Sequence, residues 1–200
     1  MRNFQLLISY IFHPLFIPIG GTVLYFRIAP YSSLEHQSGN IVPIFILTVI
    51  VPIIFFLILR NLRLIDSLFL IAPKERVYPF IIGCMLLLMI LYKVIPNNYI
   101  NELFFFFTGL LCALATALVL LFVKVKCSMH LLGMSSILLY SIGLSIHFGT
   151  NLTLLIGSLI LITGLVASSR LYLKAHGRAG LLIGFLVGGC SQLLLFKYWL

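Results

Sequence analysis

The chain has 200 residues, of which 62% are hydrophobic and 8% charged, and a mean hydropathy of +1.20. Soluble domains carry about 25% charged residues, so this composition excludes one and describes a polytopic membrane protein. The formal charge of +9 sets 13 Lys and Arg against 4 Asp and Glu, which speaks against a divalent-metal hydrolase built on clustered carboxylates.

Stretches apolar enough to cross a hydrocarbon core of about 30 Å, at roughly 20 residues each, lie near 4–27, 41–59, 78–96, 102–123, 131–148, 152–168 and 180–199. The expected fold is an all-α transmembrane helix bundle of six to seven spans forming a single domain over residues 1–200. In the first span Pro14 and Pro18 predict a kink, which neighbouring helices can accommodate. Arg2 precedes this span, but no small-residue cleavage site follows at signal-peptide distance, so it reads as retained. The linkers at 28–40 and 60–77 are the longest, and neither holds a soluble module. The fifth and sixth spans meet at the tight turn Gly149-Thr150-Asn151, and the sixth is short enough for the pair to be a re-entrant hairpin. In the last span Gly180, Gly184 and Gly188 fall on one helix face. Such a ridge permits close helix approach, inside the chain or in a homo-oligomer. Cysteines 84, 112, 127 and 190 show no metal-ligand spacing.

With seven spans, Arg2, Arg60, Arg63, Lys74, Arg76, Lys124, Lys126, Arg170, Lys174 and Arg178 face one side, and Arg27, Lys93 and Lys197 the other. The positive-inside rule makes the richer side cytoplasmic. The same excess would attract an anionic lipid headgroup, whereas nucleic acid is a poor partner for charges confined to short loops.

Three basic loops reach that face: Lys74-Glu75-Arg76-Val77-Tyr78-Pro79, Lys124 to His130, and Ser169 to Gly180. An even number of spans separates each from the next, hairpin or not. Two histidines among Lys and Arg suit a phosphate better than a metal. Arg clasps phosphate oxygens and Lys adds a point charge. One His can attack phosphorus while another protonates the leaving oxygen.

Ser169-Arg170, five residues, His176 and then a glycine-bearing apolar helix resembles the third motif of the type 2 phosphatidic acid phosphatase superfamily. Cys127-Ser128-Met129-His130 is similar to its second motif in the Ser and the His, and Lys74, Arg76 and Pro79 to its first with altered spacing. The opening His13-Pro14-Leu15-Phe16-Ile17-Pro18 looks like a divergent bacterial branch of the same superfamily. The resemblance implies a metal-independent lipid phosphatase in a bacterial inner membrane, with no cofactor and a membrane lipid phosphate or pyrophosphate as substrate. It implies that His176 is the nucleophile forming a phosphohistidine and His130 the acid. Arg170, Lys74 and Arg76 would be the phosphate clamp and Ser128 a hydrogen-bond donor.

Two positions depart from the pattern: Gly180 replaces the Asp that orients the nucleophile, and Met129 replaces the glycine before the acid His. Asp66 and Glu75, both in the linker 60–77, are the carboxylates that would have to substitute for it. A catalytically silent member that binds a lipid headgroup or a membrane partner is the alternative. A small transporter would show an intramembrane carboxylate near mid-depth or broken helices, and neither is evident. His36 and His147 read as interfacial residues, His13 as a buried kink residue, and Lys124, Lys126, Lys174 and Arg178 as topogenic charges. The superfamily's phosphatases are expected to face away from the cytoplasm, against the charge bias here. That bias favours a cytoplasmic site.

Overall fold

The computed structural model describes residues 2–29, 34–64, 73–95 and 100–200, apart from the side chains of residues 34–38 and 73–74. All regular structure among them is helical: α1 (Arg2–Ile11), α2 (Phe16–Ile28), α3 (Leu34–Phe45), α4 (Val51–Asn61), α5 (Pro73–Met89), α6 (Asn101–Phe122), α7 (Met129–His147), α8 (Thr153–Tyr172), α9 (Arg178–Leu193) and α10 (Phe196–Trp199). Six continuous helical runs are long and apolar enough to cross a membrane: Gly39–Asn61, Glu75–Val94, Asn101–Phe122, Met129–His147, Thr153–Tyr172 and Arg178–Trp199. Among the described residues, α1 and α2, bent by 58° at their junction, make a seventh span if they count as one. The chain is an all-helical integral membrane protein.

Several boundaries differ from those the sequence suggests, and backbone chemistry explains them. The kink expected in the first span is a break: the chain turns through short-range bonds, His13 N–H to the Tyr10 carbonyl (3.3 Å) and Phe16 N–H to that of His13 (2.9 Å). Pro18 then sits in the first turn of α2, where its missing N–H costs nothing. Pro52 withholds a donor from the helix before it, which widens into a π turn over Ile46–Ile50 closed by the Val51 N–H on the Ile46 carbonyl. The fifth and sixth spans are helices of 19 and 20 residues, each long and apolar enough to cross a membrane by itself. The turn between them is closed by Gly149 at φ 61° and by the Asn151 side chain accepting the Thr153 N–H (3.1 Å).

α7 is the most enclosed of the spanning helices, and α9 lies along it at backbone distance. A Cβ at position 180 would stand 2.8 Å from the Lys126 carbonyl oxygen, one at 184 would meet the Ser128 main chain, and one at 188 the Leu132 carbonyl. The three glycines thus form a packing face against residues 126–132, inside the chain. Lipid supplies no hydrophobic drive for helix association, so such close approach is what holds two helices together. Many Ser and Thr hydroxyls in the apolar helices bond to their own backbone, as Thr22 to the Pro18 carbonyl (2.8 Å) and Thr163 to that of Leu159 (2.7 Å). At the end of the bundle where α7 finishes, Glu102 accepts from Tyr25 (3.3 Å) and pairs with His147 (3.0 Å), which ties α2, α6 and α7.

Candidate functional site

At the other end of α7, α8 closes with the chain's Arg-to-His spacing. Lys174 takes φ 52°, its N–H bonds the Leu171 carbonyl (2.9 Å), and the Ala175 N–H bonds the Arg170 carbonyl (3.1 Å). This is a left-handed helix stop that caps the last carbonyls. His176 follows directly and α9 begins at Arg178, so one tight turn returns the imidazole to the level of Arg170. The Ser128 N–H donates to the Gly180 carbonyl (3.0 Å), pinning the start of α7 beside that turn.

Five of the six residues singled out from sequence gather here. Arg76 lies in the first turn of α5, Ser128 directly precedes α7, His130 is in its first turn, Arg170 is in the last turn of α8, and His176 is in the following loop. Three of them stand on helices where the sequence suggested loops, because α5 and α7 begin earlier and α8 ends later than their apolar cores. Lys74 belongs to α5, but its side chain lies outside the described residues, as does Asp66.

Arg76 Nη1 approaches His176 Nε2 at 3.5 Å. A guanidinium only donates, so Nε2 holds the lone pair and the proton of the neutral ring sits on Nδ1. Burial first, then the positive charges of Arg76 and Arg170, pushes the His176 pKa down to about 4. The ring is therefore neutral at pH 7, with its Nε2 lone pair unprotonated and turned towards Arg76. His176 Nδ1 is buried without a hydrogen-bond partner. The Cys127 main chain is near enough to act on the ring but does not form a well-shaped bond to it. Gly180 occupies the place where the resemblance expects a carboxylate, and Lys126 leaves no room for one there. Glu75 acts on Arg76, and the charges bearing most on His176 are both cationic.

His130 Nε2 faces the Ser9 carbonyl at 3.1 Å, so Nε2 carries a proton. Arg170 Nη1 donates to Ser9 Oγ (3.4 Å), while its Nε is buried without a partner. Ser128 is fully buried, and its Oγ has no partner either, although its place before α7 would let it cap the helix. Buried polar groups are ordinarily paired. Of the described ones that are not, the hydroxyls of Tyr140 and Thr150 lie elsewhere, whereas Ser128 Oγ, Arg170 Nε and His176 Nδ1 lie at this end of α7. They converge at the N-terminus of a 19-residue helix, where free N–H groups and the helix dipole favour an anion. Two guanidinium groups, a hydroxyl and two imidazoles around that terminus suit a phosphoryl group. The Cys127 thiol is pushed up to about 11 by burial, so it stays protonated and is a poor nucleophile.

α1 supplies Gln5 and Ser9, which nothing in the sequence placed here, and the break after it brings His13. Ser9 links to Ser169 (Oγ to Oγ, 2.9 Å), Ser169 Oγ donates to the Gln5 carbonyl (2.7 Å), and the His13 ring meets that of His130 edge to face at 5.5 Å. No protein-family model matches this chain, and no curated protein or solved structure matches it. The resemblance to the type 2 phosphatidic acid phosphatases therefore rests on the sequence motifs alone.

Proposed function

We propose that the chain is a metal-independent lipid-phosphate phosphatase of the type 2 phosphatidic acid phosphatase kind, acting in a bacterial inner membrane with its site towards the cytoplasm. The observation that carries this reading is the meeting of Arg76, Ser128, His130, Arg170 and His176 at the start of α7. The two arginines and the N-terminal N–H groups of α7 hold the phosphoryl oxygens, and Ser128 Oγ donates to one of them. The Nε2 lone pair of His176 attacks phosphorus and the bond from phosphorus to the lipid oxygen breaks; His130, charged by a second proton when the phosphate dianion binds, gives its Nδ1 proton to that oxygen while Nε2–H stays on the Ser9 carbonyl. Water, deprotonated by His130, then cleaves the phosphohistidine, releasing inorganic phosphate and restoring both rings. A substrate anchored by its tails presents its headgroup at the helix ends where these residues sit.

The second reading, a silent relative that binds lipid headgroups, is favoured by the unpartnered His176 Nδ1 and the absence of room at Gly180. Loss of an orienting carboxylate lowers turnover by orders of magnitude in related constellations. Phosphate release from phosphatidic acid and lipid pyrophosphates, with chelator present, separates the two. Turnover that vanishes in His176→Ala supports the phosphatase, and binding without turnover supports the silent relative.

A further inference from the structure

We propose that His13, at the break between α1 and α2, is a further phosphate-binding residue of this site, donating from its Nε2–H to an oxygen of the bound phosphoryl group; this rests on the anion site described above. His13 Nδ1 accepts the Leu15 N–H at 3.3 Å, which fixes the ring proton on Nε2. A link from a side chain to the amide two residues on is one that Asn, Asp or Ser makes routinely. The bend therefore needs no imidazole, and the second nitrogen has to be explained by what surrounds it. The ring stands edge to face with His130, centroids 5.5 Å apart, and within electrostatic reach of Arg170.

Ser9 holds this wall in place from one turn earlier. Its carbonyl meets His130 Nε2 at 3.1 Å, its hydroxyl accepts from Arg170 Nη1 at 3.4 Å, and its hydroxyl also bonds Ser169 Oγ at 2.9 Å. α1 is thus tied to α7 and α8 at the very residues that would grip a phosphoryl group. The 58° bend between α1 and α2 carries His13 to the site instead of leaving it within a straight span.

The test is binding to the full-length protein in detergent, read by calorimetry, with two probes: inorganic phosphate, and phosphatidic acid in mixed micelles. His13→Asn keeps a side-chain acceptor for the Leu15 N–H but has no donor at the reach of Nε2, and His13→Gln restores a donor there. His13→Asn is expected to weaken both probes about tenfold, the worth of one hydrogen bond to a charged group, and His13→Gln to recover most of that. A His13→Asn protein that binds within about twofold of native overturns the proposal, since the ring then serves only the bend. Weakening confined to the lipid also overturns it, because the contact is then not to the phosphoryl group. Native protein that binds neither probe overturns the anion site and His13 with it. Binding without turnover, lost in His13→Asn, supports the His13 assignment and removes only the phosphatase reading.

Discussion

A Cβ at position 180 would stand 2.8 Å from the Lys126 carbonyl oxygen, and that backbone atom cannot swing aside as a side chain can. The carboxylate missing from the phosphatase pattern is therefore excluded by the packing of α9 on α7. Gly180→Asp is expected to lower stability by about 1–3 kcal/mol, the usual cost of overpacking, without raising phosphate release. A thermal melt and a release assay check both, and a variant that is stable and faster contradicts the packing account. His176 makes a prediction about pH. Its folded pKa of about 4 lies below the ordinary value of 6.5, so on acidification the unfolded chain takes this proton first. Its contribution to stability is complete above about 6.5 and is lost as pH falls towards 4. Phosphate release should hold level from pH 7 to about 5 as far as this nucleophile decides it. A pH profile that collapses near 6.5, and does so with the His176 ring, contradicts a neutral buried imidazole. At this scale the spacing of Arg170 and His176 was legible in the sequence, because both belong to one turn. Ser9 was not legible, since its role depends on α1 crossing α8, a contact that no periodicity encodes.

The helices that end on the site's side share a stop. Arg63, Lys124 and Lys174 all take positive φ, at 56°, 61° and 52°, where glycine is the ordinary occupant. Each closes its helix with paired bonds, as Val125 N–H to the Leu120 carbonyl (2.8 Å) does beyond α6. Their charges complement the negative ends of those helices, at a strain of about 1 kcal/mol each relative to glycine. Lys174→Gly is expected to raise stability by about 0.5–1 kcal/mol in a detergent melt and to leave phosphate release unchanged; a destabilised variant would mean that the charge outweighs the strain. Apolar runs revealed the spans because their length is set by the bilayer. They misplaced the ends of α5, α7 and α8, since Arg76, His130 and Arg170 are helical residues that no apolar run includes. The glycine ridge announced a close contact but not its partner, which proved to be the main chain at the start of α7.

Over the whole molecule, ten of thirteen Lys and Arg fall on the site's side if seven spans are counted, and this asymmetry carries the proposed cytoplasmic orientation. With single cysteines at positions 36 and 174, an impermeant thiol reagent applied to intact cells should label 36 and spare 174; labelling of 174 alone reverses the orientation. The clustered cations, unpaired donors and neutral His176 at one end of α7 lead to a more direct test, the capture of a covalent phosphoenzyme. Protein mixed with phosphatidic acid in chelator, quenched in alkali within the first turnovers and digested, should yield a phosphorylated peptide containing His176, absent from His176→Ala. Phosphate release without modification of His176, or release that survives its replacement, would contradict the account.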